Sequence, residues 1–521
     1  MQRTSVLVIG GSLVGLSASL FLAWRGIDLV LVDKHHGSSA HPRAMGFTET
    51  TLEHFRAVGI ADRIPAEPAN ARLRRAKVTS LCGEWIEETD WTPGKPTQRS
   101  AEVSPCTGAA IAQDKLEPIL REAALELGAD MRLGVEMVSF RQDESGVVAR
   151  LRPRDGQPEY EIVADYMIAA DGAGSATRAT LGIACSGVGY LRTLRSVLFR
   201  CPAADAWLDQ GIRQFAIEQP DFRAFLTTYG DGRWVLMFED DRERSAQELE
   251  DAVTRALGRD LPFEIITTGR WEMAGRIADS YASGRVFLAG DAAHQLPPTR
   301  GGFGANTGID DAWNLAWKLE RVLTGTSSPA LLATYDEERR PIGWLRHQQT
   351  FSRPDYASWT GDRFIPEPLF DNDAMEFGQL VRSSAVISAT DELPAAASPV
   401  QWAGQPGTRA PHVAIQRRGQ AMSTLDLFGR GYVLLTADPA WRSVADALPI
   451  ELVMVGEDVT FPDAESFPKH FGVGPAGASL VRPDGIVAWR ASDVADVAAL
   501  PDAFARVACA TRRDSAQGVG R

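Results

Sequence analysis

The chain has 521 residues, and its formal charge of −14 comes from 68 acidic against 54 basic side chains. Such a surface repels nucleic-acid phosphates and anionic membranes, which excludes both as partners. Arg72, Arg74, Arg75 and Lys77 form the densest basic cluster and read as a solvated face. The five cysteines are scattered and form no C-x-x-C pair, which argues against a disulfide framework and a structural zinc site; no metal centre is expected.

The length suggests about three domains. The apolar N-terminal run is broken by Gly10, Gly11, Ser12 and Gly15, so it does not read as a signal peptide. No uninterrupted apolar stretch reaches the roughly 18 residues a membrane span needs, and a cytoplasmic protein is expected.

In chain order, TSVLVI (4–9) reads as a strand buried on both faces of a parallel sheet. Glycines follow, then Leu16–Trp24 at helical spacing, stopped by Gly26, and DLVLV (28–32) as a second buried strand. The chain thus opens with a βαβ unit. Residues 114–128 read as a helix with Asp114 as its cap and Gly128 as its stop. Stretches 131–140, 146–152 and 159–169 read as a meander returning to the sheet. Between 195 and 239, RSVLFR, RQFAIEQ, RAFLTTY and RWVLMFE predict four strands of an inserted antiparallel sheet, with a helix after it at 245–258. GRVFLAG (284–290) returns to a buried strand, and 309–319, 325–335 and 336–351 read as helices. Residues 353–410, rich in Pro, Ala, Ser and Asp, read as a connector with one helix near 373–382. In a third region, 431–437, 450–456, 477–485 and 486–491 read as strands alternating with helical pieces.

Three glycine-containing junctions carry the chemistry. VIGGSLVG places Gly10, Gly11, Ser12 and Gly15 between a strand and a helix, with Asp33 at the end of the next strand. Free N–H groups at a helix start face a pyrophosphate, glycines let the backbone approach, and the acid accepts from ribose hydroxyls. Ser12 stands where G-x-G-x-x-G has its middle glycine, and a tight turn that binds nothing is the competing reading. ADGAGSATR (170–178) puts Asp171 at a strand end, with Ser175 and Arg178 at a helix start. Taken alone, such an Asp-Gly pair is a turn. In the third junction Gly290 and Asp291 follow a strand, Pro298 stiffens a loop, and Gly301, Gly302, Gly304, Ala305 and Asn306 precede a helix. N–H groups at a helix start stabilise negative charge building on a flat, electron-accepting ring. His294 reads as a buried structural histidine, and Trp313 and Trp317, one helical turn apart, as core.

With HPRA (Pro42, Arg43) and AQDKLEPILR (Gln113), these motifs stand in an order that resembles the class A flavoprotein aromatic monooxygenases, which share the para-hydroxybenzoate hydroxylase fold. Within that class the chain is similar to the bacterial aromatic-polyketide hydroxylases. RSSAV (382–386), STLDLFG (423–429) and GASLVRPDGIVAWR (477–490) carry the likeness into the third region. The resemblance implies an α/β fold with an FAD-binding Rossmann-like domain over 1–75, 105–180 and 275–352. An inserted antiparallel-sheet substrate domain would occupy 76–104 and 181–274. A helical connector (353–410) and a C-terminal thioredoxin-like α/β domain (411–521) would follow. That last domain lacks C-x-x-C, which excludes thiol–disulfide exchange.

The resemblance also implies roles. Gly10, Gly11, Ser12 and Gly15 would hold the FAD pyrophosphate, and Asp33 the adenosine ribose. Arg43 and Gln113 would contact the phosphate and ribitol, Asp171 would serve both FAD and NAD(P)H, and Gly290 and Asp291 would meet the ribitol or pyrophosphate. Pro298, Gly301, Gly302, Gly304, Ala305 and Asn306 would lie near the isoalloxazine. The implied reaction consumes O2 and NAD(P)H, with NADPH favoured, and hydroxylates a small phenolic, polyketide-type substrate through a C4a-hydroperoxyflavin. Gln214 and Tyr229, on the inserted sheet, are the candidates for a base, and an ordinary strand residue is the competing reading of each. Phe199, Phe215, Phe225, Trp234 and Phe238 either line a flat cavity or fill the core. Rival functions are Baeyer–Villiger or epoxidising oxygenation, shielding of an intermediate by a non-catalytic FAD protein, and an interaction protein with vestigial motifs. A monomer or homodimer is expected.

Overall fold

Val6, Leu7 and Val8 have no exposed surface, because the strand Gln2–Ile9 runs through the middle of a sheet covered on both faces. The computed structural model describes residues 2–66, 74–90, 103–297 and 303–510. In it the strand pairs in parallel with Leu29–Asp33 on one side and Tyr160–Ala169 on the other. Val286–Leu288 and Asp130–Leu133 extend the parallel order outward. Alternate side chains serve opposite layers. Val6, Val8, Leu29 and Leu31 pack under helices Leu13–Trp24, Gln113–Glu126 and Phe303–Leu323. Leu7, Ile9, Val30 and Val32 pack against the antiparallel pair Val135–Asp143 and Gly146–Pro153. An all-apolar run is therefore what this position demands.

The single strand predicted over 131–140 is two, because Gly134 turns the chain at φ +72 between Asp130–Leu133 and Val135–Asp143. A Cβ at Gly134 would overlap the His36 ring. Asp114 does not cap its helix. The helix starts at Gln113 after Ala112, and Asp114 receives Arg233 of the second sheet at 2.7 Å. The helices predicted at 325–335 and 336–351 are one, Ala330–Phe351, continuous through Pro341. Burial of Tyr335, Ile342 and Phe351 outweighs the helical hydrogen bond that Pro341 cannot make.

The second sheet has eight strands, in the order His294–Gln295, Glu264–Ala278, Cys185–Arg200, Arg233–Phe238, Phe222–Thr228, Gln214–Gln219, Arg74–Val78, Trp85–Asp90. Pairing is antiparallel except between Gln214–Gln219 and Arg74–Val78. The four predicted strands form; Glu264–Ala278, Arg74–Val78, Trp85–Asp90 and His294–Gln295 are additional. Helix Ala246–Leu257 closes the back face over Phe199, Phe215, Trp234 and Phe238, so those rings are core. Phe225 has the opposite parity and faces forward, toward the first sheet. The basic cluster is not uniformly solvated. Arg74 pairs with Glu88 and Lys77 with Glu218, but Arg75 turns inward over Phe225; Arg72 lies outside the described residues.

In the connector, the helix predicted at 373–382 is Asn372–Phe377, and it stops where a Cβ at Gly378 would sit 1.8 Å from the Ala397 carbonyl oxygen. The C-terminal region is a four-stranded thioredoxin-like sheet in the order Ile450–Met454, Tyr432–Thr436, Ala478–Val481, Val487–Ala491. The first pair is parallel and the others antiparallel.

This region is welded to the first by a buried ionic cluster. Glu338 has no exposed side-chain surface and accepts from Arg482 at 2.6 and 2.9 Å, Lys318 at 2.9 Å, Asn314 at 2.8 Å and Ser383 at 2.7 Å. Burial alone would raise the Glu338 pKa, but Arg482 and Lys318 outweigh it and hold the carboxylate ionised. With Asp484 at 2.5 Å from Arg482, the two cations and two carboxylates balance. Breaking one partner of such a cluster strands a buried charge. Arg482→Met is expected to cost about 3–5 kcal/mol of stability, read from the denaturant midpoint, and Glu338→Met added to it recovers part of the loss.

Candidate functional site

Gly10 leaves the first strand at φ +103, where a Cβ would lie 2.3 Å from the Ala170 carbonyl oxygen. A Cβ on Gly15 would lie 1.8 Å from the Gly10 carbonyl oxygen, so the helix Leu13–Trp24 docks this closely only with glycine there. The Gly11 N–H donates to Asp33 Oδ2 at 2.5 Å, which fixes the acid against the turn, while Asp33 Oδ1 accepts from His35 N at 2.6 Å. No side chain caps this helix and no acid stands in its first turn, which leaves its leading N–H groups open to an anion.

Ser12, in the place of the middle glycine, is locked sideways. Its hydroxyl donates to Glu117 Oε1 at 2.7 Å and accepts from Gln113 Nε2 at 2.9 Å, and Gln113 also donates to Glu117 at 2.8 Å. Gln113 Oε1 accepts from the N–H groups of Arg43 at 3.2 Å and Ala44 at 3.3 Å, so one amide carries the Arg43 loop to the glycine turn. Glu117 is a participant that the sequence pattern did not single out. It is an acid inside a helix, and only the fold brings it to Ser12.

The second junction meets the first through Ala170, whose N–H donates to Ile9 O at 2.8 Å. Asp171 Oδ2 accepts from Thr177 N at 3.1 Å and Thr177 Oγ1 at 2.9 Å, and its other oxygen is buried without a partner. Ser175 caps the short helix Ala176–Thr180, and Arg178 donates to Ala292 O at 2.7 Å, tying the second junction to the third. At the third, Gly290 has φ +60, and a Cβ there would press on Val14 of the first helix at 2.7 Å. Burial raises the Asp291 carboxyl, with His294 and Arg43 pulling it back, so the Arg43 charge reaches this junction.

Beyond Asp291 the chain crosses between the sheets, and His294 and Gln295 pair with Ile277 and Arg276 of the second sheet. Asp311, buried in the long helix Phe303–Leu323, accepts from Gly290 N at 3.2 Å, His294 Nε2 at 2.7 Å and Arg339 Nε at 2.8 Å. Pro298, Gly301 and Gly302 lie outside the described residues. Gly304 and Ala305 stand in the first turn of the long helix, and nothing lies within 4 Å of where a Cβ on Gly304 would be. Asn306 is buried and braces the neighbouring segment: it accepts from Thr51 Oγ1 at 2.7 Å and Thr48 N at 3.1 Å and donates to Gly46 O at 3.3 Å. Trp313 and Trp317 are buried core.

Across from these junctions stands the front of the second sheet. The Tyr229 hydroxyl donates to Pro42 O at 2.5 Å, and burial holds its phenol well above the usual range, with Arg233 countering in part. This makes Tyr229 a brace for the Arg43 loop rather than a proton acceptor. Gln214 Oε1 accepts from Arg75 at 3.4 Å. His41 Nε2 lies 2.9 Å from Ser196 Oγ, and burial lowers its pKa, which favours the neutral ring.

A glycine turn closed to any Cβ, an uncapped helix start, an acid at the second strand's end and an orphaned Asp171 oxygen together fit an extended dinucleotide such as FAD. The fold and these junctions define a flavin-binding protein of the two-sheet type. Residues 3–350 match the FAD binding domain family, and 403–510 match the family described as aromatic-ring hydroxylase, C-terminal. The chain belongs to the FAD-dependent aromatic monooxygenases. It is 37% identical to a 4-methyl-5-nitrocatechol 5-monooxygenase from Burkholderia sp, over 97% of each chain. It is 35% identical to an aklavinone 12-hydroxylase from Streptomyces purpurascens, over 96% of this chain and 97% of that one. A solved aklavinone-11 hydroxylase in ternary complex with FAD and aklavinone superposes with a TM-score of 0.88 at 33% identity, covering 98% of this chain and 99% of the other. Among the described residues no helix is long and apolar enough to cross a membrane.

Gly15→Ala tests the turn. It is expected to lower FAD affinity by about tenfold or more, about 1.4 kcal/mol, measured by flavin absorbance after titration of the purified protein.

Proposed function

We propose that this enzyme hydroxylates a phenolic aromatic of polyketide type, taking electrons from NADPH and oxygen from O2. The observation that carries this reading is the placing of the second sheet's front face opposite the three junctions. Leu194, Leu198, Phe225, Val235 and Met237 stand on that face, with Ser196 and Gln214 among them. A wall mainly of apolar side chains with few polar groups suits a flat, partly polar ring.

FAD, held by Gly10, Gly11, Ser12, Gly15, Asp33, Arg43 and Asp291, supplies the redox chemistry and the activation of oxygen. The chain's own part is positioning. Tyr229 on Pro42, His41 on Ser196 and Arg233 on Asp114 clamp the front face to the first domain and keep the ring's approach fixed. Closing the space between the sheets excludes water from the reacting centre. That a solved relative holds FAD and aklavinone together supports a polycyclic phenol as substrate.

The test loads the protein with FAD and screens phenolic polyketides and catechols. A true substrate stimulates NADPH oxidation, yields a product heavier by one oxygen atom, and keeps its ring carbons intact by NMR. Oxygen found inserted into the ring, or no stimulated oxidation by any phenol, would sink the hydroxylase reading.

A further inference from the structure

Three guanidiniums come to the front of the second sheet with hydrogen-bonding capacity unused. Arg75, on Arg74–Val78, lies 4.8 Å over the Phe225 ring and donates to Gln214 at 3.4 Å; its buried Nε has no partner. Arg192, on Cys185–Arg200, lies 3.4 Å over the Trp359 ring, and its buried Nε also has none. Arg353, just before the helix Pro354–Thr360, is nearly inaccessible. Its Nε donates to Asp355 at 3.3 Å, and its buried Nη2 is unpartnered.

Two of these groups meet at that short helix, Arg192 on its Trp359 ring and Arg353 at its start. Arg75 lies within electrostatic reach of Arg353, Asp355 and Tyr356, and Arg192 within reach of Tyr356 and Glu239. Arg75 and Arg192 are half-buried, and that burial lowers the pKa of both. Asp355 faces Arg75 and pairs with Arg353, and Glu239 faces Arg192. An unpaired buried N–H carries the full desolvation penalty of that group. A carboxylate or phenolate removes that cost by accepting from the planar donor fork of arginine.

We propose that the substrate is received as a monoanion, an aromatic ring bearing a carboxylate or an acidic, ionised phenol, whose charged oxygen is bound by Arg75 in a field completed by Arg353 and Arg192. This rests on the hydroxylase reading and narrows its substrate class. Arg75 and Arg353 act here as specificity-determining residues, set on the substrate sheet and on the segment that covers it.

The FAD-loaded protein is titrated without NADPH at neutral pH, with binding read from the perturbed flavin absorbance. The probes are two matched pairs: 3,4-dihydroxybenzoate against its methyl ester, and 4-nitrocatechol against 4-methylcatechol. At least one anion is expected to bind about tenfold tighter than its neutral mate, with a preference that shrinks as salt is added. Arg75→Gln is expected to abolish the preference and leave the neutral mate's affinity within about twofold at unchanged FAD content. Preference in the first pair alone assigns the carboxylate, and in the second alone the ionised phenol. Equal binding within both pairs, no binding by any probe, or a preference that survives Arg75→Gln overturns the proposal. Should a variant fail to load FAD, the wild-type comparison and its salt dependence decide. NADPH oxidation with the same probes separates the two readings. Anion-selective binding with no stimulated oxidation sinks the hydroxylase reading alone, and equal stimulation by charged and neutral mates sinks the anion site alone.

Discussion

Asp311 lies inside the long helix with no exposed side-chain surface, and both of its oxygens are engaged. Burial alone would raise its pKa, but His294 and Arg339 outweigh that and keep it ionised. Through Gly290 it fixes the end of the parallel strand Val286–Leu288, and through His294 it fixes the crossing to the second sheet. The position of the third junction relative to both sheets therefore follows from one buried anion. Arg178 holds the same loop from the other side, through Ala292 O.

The three junctions are held together by the same absence of side chain that opens them to a ligand. Gly10 touches Ala170, Gly15 touches Gly10, and Gly290 touches Val14, in each case at a distance no Cβ permits. Close packing and cofactor binding thus make one demand on the sequence. Ser12 satisfies it differently, because its hydroxyl turns away to Gln113 and Glu117 and leaves the backbone of the turn as close as before. The serine departure from the glycine pattern is tolerated by a neighbouring helix, not by the turn itself.

What was legible in the sequence is what local chemistry decides. TSVLVI and DLVLV declare a strand packed on both faces, and glycines between strand and helix declare a turn. Glu264–Ala278 was not legible because its first nine residues alternate between exposed and half-exposed, so apolar periodicity is weak until the strand enters the core near Met273. Asp114 looked like a cap because capping is a local rule, yet its partner Arg233 lies 119 residues away. Glu117 and Asp311 were invisible for the same reason: an acid in a helix announces its partners only when the fold brings them. Arg75 looked solvated beside Arg74 and Lys77, although strand alternation turns it to the opposite side from the back core.

The Glu338 cluster has a consequence for biosynthesis. Lys318 and Glu338 leave the ribosome well before Arg482, which follows Glu338 by 144 residues. Until then a cation and an anion destined for a dry interior remain hydrated, and Trp317 lacks its cover from Tyr432. The flavin-holding half cannot finish its own interior until the thioredoxin-like region has emerged, and a chain cut ahead of that region leaves the Glu338 carboxylate without its arginine.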